Sequence, residues 1–237
     1  MRMGYDKRLD GRKFDETRPI EAKVGVIKNA DGSGWFRIGK STAYAAVYGP
    51  KNLYPKFLAN PKRGVLRCHY NMMPFSGMGN RVRPGTNRRA KEISMVTANA
   101  LLPILDLSDF PNSVVDVYIE LPETDAGSRC AGICAASLAL ADAGFLMKDL
   151  ACSVAVGKVD DKVVVDLDYA EEAYECDAGV ADIPLCIFPQ SKKISLLQMD
   201  GILSPESLKE AMEAGMIAAE KIYDIQKAAL KAKYEGD

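Results

Sequence analysis

The stretch that most constrains the fold is residues 121–145, LPETDAGSRCAGICAASLALADAGF. It reads as a strand end, a tight turn and then a helix. Ala131, Gly132, Ala135, Ala136 and Ala139 keep that helix thin, which suits close burial against a sheet. At its start Asp125 or Ser128 can serve as the N-cap, since short oxygen-bearing side chains accept from the free N–H groups there. Gly127 allows a close backbone approach to whatever lies in front of the helix, and Arg129 adds a fixed positive charge beside it. A phosphate placed there gains from the helix dipole, the free N–H groups and a guanidinium fork together. Ordinary capping by water is the competing reading of the same residues, so the rest of the chain has to decide.

Period-two apolar segments precede this stretch at 20–27, 35–38 and 41–48, separated by Asn29-Ala-Asp-Gly-Ser-Gly34 and Gly39-Lys40. Such turn chemistry predicts an antiparallel meander. Residues 65–73 form a further strand that leads into a Gly- and Arg-rich loop over 74–87. Ile93, Val96, Ala100, Leu101 and Ile104 recur at helical spacing, predicting a helix over 88–105. Residues 114–121 alternate as a strand, and 151–156, 162–167, 182–188 and 193–198 are four more. Ser204 as N-cap and Pro205 in a first turn start a last helix that runs to about Lys233. The order of strands and helices predicts an α+β fold, with two similar halves packed as one domain. The polar residues 1–15 are expected as an N-terminal arm, ahead of a single domain over 16–237.

A net charge of −1 hides a segregation. Between residues 62 and 91 stand eight Lys or Arg and no acidic residue, while residues 160–182 hold nine acidic residues and one lysine. The first stretch suits a polyanion and the second a divalent cation, or the two pair with each other. Most carboxylates over 160–175 read as solvated surface. The six cysteines lack CxxC spacing, so buried thiols in a reducing compartment are expected rather than a zinc site. No apolar run reaches bilayer length and the start carries no signal-peptide core, which gives the expectation of a cytoplasmic protein without a membrane span. The lone His69 lies in mid-strand with no triad around it.

Three elements can then converge. Asn87-Arg88-Arg89 opens one helix with cations, Arg129 opens another, and Asp182 stands at the start of the strand DIPLCIF with Asp177 and Glu172 upstream. Neighbouring carboxylates at a strand end offer a hard divalent ion oxygen ligands while leaving room for substrate oxygens. Two cationic helix ends beside such an ion suit phosphoryl transfer on a nucleotide or nucleic acid, driven by positioning and charge neutralisation.

Taken together, KRLDGRKFDETRPI, MMPFS with its Arg-rich loop, RRAKEIS, TDAGSRCAGICAASLALADAG and ADIPL resemble, in this order, the RNase PH family. LLQMDGILSPESLKEAM resembles the catalytic ring subunits of that family in the archaeal exosome. The resemblance implies the RNase PH-like (ribosomal protein S5 domain 2-like) fold of two similar βαβα halves. It also implies phosphate-dependent 3′→5′ exoribonuclease activity on single-stranded RNA, with RNA tailing as the reverse reaction. Carried over by position, Gly127, Ser128 and Arg129 hold the attacking inorganic phosphate. Arg88 and Arg89 contact RNA or phosphate, and Arg67, Arg81 and Arg83 are pore or RNA contacts. Asp182 supports Mg²⁺ (or Mn²⁺) or the general-acid step. The implied partners are an inactive RNase PH-like homologue in a hexameric ring (a trimer of dimers) and RNA-binding cap subunits. The implied alternatives are a non-catalytic RNA-binding ring subunit and a homohexameric tRNA-trimming enzyme.

One departure stands out. The family places a first aspartate six positions before the second, and here that position is Cys176. Asp177, a shorter carboxylate with local turn freedom, is the favoured replacement as catalytic and metal-side residue. Glu172, at the usual distance after Asp166-Leu-Asp168, is the alternative.

Overall fold

The computed structural model describes residues 5–78, 82–85, 87–176 and 179–235. Its first half opens with the expected meander, β1 (Ile20–Val24), β2 (Gly32–Ile38) and β3 (Ser41–Asn52). β4 (Val65–Met72) and β5 (Ser113–Glu123) complete a five-stranded sheet in the order β1-β2-β3-β5-β4, with β4 parallel to β5. The connection between these two parallel strands is α1 (Arg88–Leu101), as a crossover requires. Asn87 caps α1 by accepting the Ala90 N–H at 2.7 Å. After β5 comes the Ala-rich helix α2 (Ser128–Asp142).

The second half is an antiparallel sheet in the order β7-β6-β8-β9, built from β6 (Cys152–Val159), β7 (Lys162–Val165), β8 (Val180–Phe188) and β9 (Lys193–Leu197). A one-turn helix α3 (Tyr169–Glu172) precedes β8, and the long α4 (Pro205–Glu235) closes the chain. Ser204 caps α4 through the Ser207 N–H at 3.1 Å.

α2 lies between the two sheets, touching β2, β3 and β5 on one side and β6 and β8 on the other. Twelve of its residues, from Ser128 to Leu140, are buried. Only small side chains allow contact of this kind on all sides, which is the reason for its alanines. One apolar core runs through both halves, from Phe36 and Val47 across Ile133 and Leu138 to Val154 and Ile183.

Three details differ from the sequence reading. β8 starts at Val180, so Asp182 stands inside the strand, opposite Gly157 on one side and paired through both backbone groups with Asp200 on the other. The N-terminal segment is docked: Tyr5 packs on Phe14 and Tyr174 over Val159, Val164 and Leu167. The acidic stretch is also less solvated than expected, because Asp166 and Glu171 are buried against Arg18 and Arg8. These two acidic residues thus pair with the N-terminal arginines.

The closeness of α2 to β2 gives a direct test. A methyl added at Gly34 would stand 2.4 Å from the Ala135 carbonyl oxygen and 2.8 Å from Leu138 Cβ. Gly34→Ala therefore forces strand and helix apart, and urea denaturation is expected to show a loss of about 1–3 kcal/mol.

Candidate active site

The turn before α2 takes Ala126 and Gly127 through the left-handed region, at φ 56° and φ 59°. Gly127 is the N-cap, and no side chain caps the helix. The expected caps are both engaged otherwise. Asp125 Oδ1 accepts the Tyr169 N–H at 3.1 Å, and Ser128 is the first helical residue. Ser41 braces the turn, accepting the Asp125 N–H at 2.8 Å and donating to the Ala126 carbonyl at 2.6 Å. The first turn of α2 therefore presents backbone N–H groups without a capping side chain, in the geometry that favours anions.

These groups open onto a cleft of about 770 Å³ between the halves. Arg89, Gly127, Ser128 and Arg129 line it together with Glu172, Asp182 and Asp200. Arg129 is steered by two side chains that sequence reasoning missed. It donates to Gln198 Oε1 and lies 3.6 Å from Glu92, while Gln198 Nε2 donates to Glu92 at 2.9 Å. The buried Tyr70 hydroxyl lies among Ser128, Arg89 and Arg129 without a hydrogen bond of good geometry.

The carboxylates are held unusually high. Burial pushes Glu172 up to about 7, with the Asp182 charge adding to it and Arg89, the Gly127 N–H and Arg18 opposing. Burial likewise pushes Asp182 up to about 6, against the pull of Arg129 and with Asp200 adding to the rise. Asp182 Oδ1 is buried and has no hydrogen-bond partner among the described residues. An orphaned carboxylate oxygen beside a second carboxylate fits a hard divalent cation, since Mg²⁺ takes one or two protein carboxylates and completes its shell with water and substrate oxygens. Among the described residues no group of three or more His, Cys, Asp or Glu is placed to hold a metal ion.

Of the residues singled out in the sequence, Arg89, Gly127, Ser128, Arg129, Glu172 and Asp182 converge in the cleft. Arg88 is exposed on α1, and Arg83 is exposed in the loop before it; neither lines the cleft. Arg67 lies outside it on the sheet face, forked onto the buried Asp116 at 2.5 and 2.9 Å beside Lys51 and His69. Asp177 and Arg81 lie outside the described residues. Glu172, the alternative first carboxylate, accepts the Gly127 N–H and lines the cleft. Asp200 was also missed; its only signal was its place in the Met199-Asp200-Gly201 end of a family-like segment.

A cleft with uncapped helix N–H groups, two arginines and a raised carboxylate pair has the chemistry of an anion site on an α+β fold. Family models identify the kind of protein. The 3′ exoribonuclease family, domain 1, matches residues 16–145, and domain 2 of the same family matches residues 149–218. The chain belongs to the RNase PH (3′ exoribonuclease) family. It is 50% identical to the exosome complex component Rrp41 of Thermococcus kodakarensis over 228 residues, covering 96% of this chain and 90% of that protein. With the exosome complex component Rrp41 of Methanopyrus kandleri it shares 47% identity over 230 residues, 97% of this chain and 94% of that one. Among solved structures, rice Rrp46 superposes with a TM-score of 0.81 at 26% identity, covering 94% of this chain and all (100%) of the rice chain. A chain of the Archaeoglobus fulgidus exosome superposes with a TM-score of 0.78 at 24% identity over 92% of each, which bears on the fold alone.

The raised carboxylates have a consequence for stability. Both folded values lie above the ordinary carboxylate range, so each group ionises less readily when folded. Their contribution is whole below about pH 4 and is lost as pH rises through about 7. Urea titrations of the ligand-free chain are expected to show Glu172→Gln more stable than wild type at pH 8, by about 1–3 kcal/mol allowing for partial exposure. Near pH 4 the two should unfold together.

Proposed function

We propose that the chain is a phosphate-dependent 3′→5′ exoribonuclease subunit, removing nucleotides one at a time from single-stranded RNA. The observation that carries this reading is the meeting, in one cleft, of the uncapped α2 N-terminus with Arg89, Arg129 and the Glu172–Asp182 pair. An RNase PH-family chain with an uncapped helix N-terminus beside its acidic pair is built to bring in phosphate as the attacking group.

In this reading Gly127, Ser128 and Arg129 orient inorganic phosphate, while Arg89 neutralises the scissile phosphate beside it. A phosphate oxygen forms a new P–O bond at the last phosphodiester, and the bond to the 3′ oxygen of the preceding nucleotide breaks. That 3′ oxygen takes a proton, and the last nucleotide leaves as a nucleoside diphosphate. The bond is broken by phosphate rather than water, so the reaction is a nucleotidyl transfer that runs backwards as tailing. Asp182, whose carboxyl burial raises to about 6, is suited to hand over that proton where it does not itself ligate the metal. Glu172 and Asp182 are the residues that would hold Mg²⁺ or Mn²⁺, whose chemistry is to neutralise charge on the phosphate oxygens.

The relatives named as exosome components support a ring assembly, with an inactive RNase PH-like homologue completing a trimer of dimers and RNA-binding caps above it. Arg67, Arg81 and Arg83 then contact RNA along its path rather than at the reacting phosphate. A cytoplasmic location goes with this reading; among the described residues no helix is long and apolar enough to cross a membrane.

The test is digestion of labelled oligo(A) with Mg²⁺, with and without phosphate, in the assembly that supports wild-type activity. ADP release only with phosphate is expected. Arg129→Ala should lower kcat about 10²–10³-fold, as loss of one charge-stabilising donor does, and Asp182→Asn should abolish it. AMP release without phosphate would overturn the phosphorolytic reading.

A further inference from the structure

Glu172 belongs to a helix that cannot stand alone. α3 has four residues, far below the length at which a helix is stable by its own hydrogen bonds. Its placement must come from what grips it, and the gripping groups come from the start of the chain. Arg8 is buried, and its guanidinium makes a two-pronged bond to Glu171, Nε to Oε1 and Nη2 to Oε2, both at 2.7 Å. The same guanidinium donates to the carbonyls of Val165 and Asp166 at 2.8 Å each, and to those of Glu16 and Lys13 at 3.0 and 3.2 Å. The fork is thereby immobilised between β7, the N-terminal segment and α3. Tyr5 donates its hydroxyl to Glu171 Oε1 at 2.6 Å, and the Asp168 N–H donates to Oε2 at 3.1 Å. Glu171 is completely buried.

Successive residues of a helix point about 100° apart. With Glu171 fixed inward, Glu172 is turned out of that pocket, and it lines the cleft. Arg18 secures the opposite wall. It forks onto Asp166 at 2.9 and 2.7 Å and donates to the Asp125 carbonyl. Asp125 in turn accepts the Tyr169 N–H at 3.1 Å, tying the α2 turn to α3.

We infer that Arg8, acting through Glu171, is a positioning residue that sets α3 so that the Glu172 carboxylate faces the N-terminus of α2. The inference rests on the proposed role of Glu172. A buried ion pair adds little net stability compared with apolar packing, so fixed geometry is the gain that this arrangement offers. The docked N-terminal segment is thus part of the active-site support.

The experiment compares wild type, Arg8→Lys, Glu171→Gln and Glu172→Gln in the active assembly, at a temperature where circular dichroism shows each folded. Arg8→Lys keeps the charge but replaces the fork with a point donor. Glu171→Gln keeps size and hydrogen bonding, and serves if the lysine variant does not fold. Either is expected to lower kcat about tenfold to hundredfold, the scale of a small misplacement at a reacting centre, with the KM for phosphate within about twofold. Amide hydrogen exchange of the metal-free protein should quicken over residues 168–174 and stay unchanged along α2. Unchanged kcat in a folded Arg8→Lys or Glu171→Gln chain, or exchange that quickens across the whole chain, would overturn the inference. If Glu172→Gln itself keeps wild-type kcat, the role of Glu172 falls and the inference with it. If Glu172→Gln loses activity while Arg8→Lys and Glu171→Gln keep it, the inference alone falls.

Discussion

Everything in this molecule depends on burying α2 between two sheets. A helix without large side chains can be packed on every side, and Gly32 and Gly34 on β2 let it come close enough that a single methyl at either would collide with its backbone. Its flanks are then unavailable to solvent, and only its ends can do chemistry. The N-terminal end emerges where the C-terminal ends of β4 and β5 meet β8, and that is the cleft. Because Gly127 caps without a side chain, the free N–H groups remain for a ligand.

Charge is arranged around that end by pairing several buried carboxylates with arginine or lysine elsewhere. Asp166 and Glu171 are taken by Arg18 and Arg8, and Asp116 by Arg67 and Lys51. Glu172 and Asp182 are left in the same cleft, where burial raises both and the Asp182 charge makes Glu172 harder still to ionise. Such an arrangement weakens the ligand-free fold and favours whatever brings positive charge or a proton to the pair, the usual conflict between stability and activity. Arg129 is kept in line by Glu92 and Gln198, so the cation beside the α2 N-terminus is fixed before any ligand arrives.

The strands were legible because period-two alternation depends only on neighbours in sequence, as in Ala43, Ala45 and Val47 against Tyr44 and Tyr48 on β3. The helix starts at Asn87 and Ser204 were legible for the same local reason. The α2 cap was not, because Asp125 is drawn away by Arg18 and the Tyr169 N–H, which are distant in sequence. Nor could spacing choose the first acidic residue. Glu172 lines the cleft next to Glu171, which Arg8 bonds from more than 160 residues away. Gln198 and Asp200 enter the cleft only because β8 and its neighbouring segment pair across a sheet, as the two-way backbone bond between Asp182 and Asp200 shows.

The central claim is that the N-terminus of α2 is the seat of the attacking phosphate. Its most direct test is a titration of the ¹⁵N-labelled, metal-free chain with inorganic phosphate, following the amide resonances of Gly127, Ser128 and Arg129. Saturable shifts at these amides, absent in Arg129→Ala, are expected. Phosphate-dependent RNA breakdown by a chain whose α2 amides do not respond to phosphate would contradict the account.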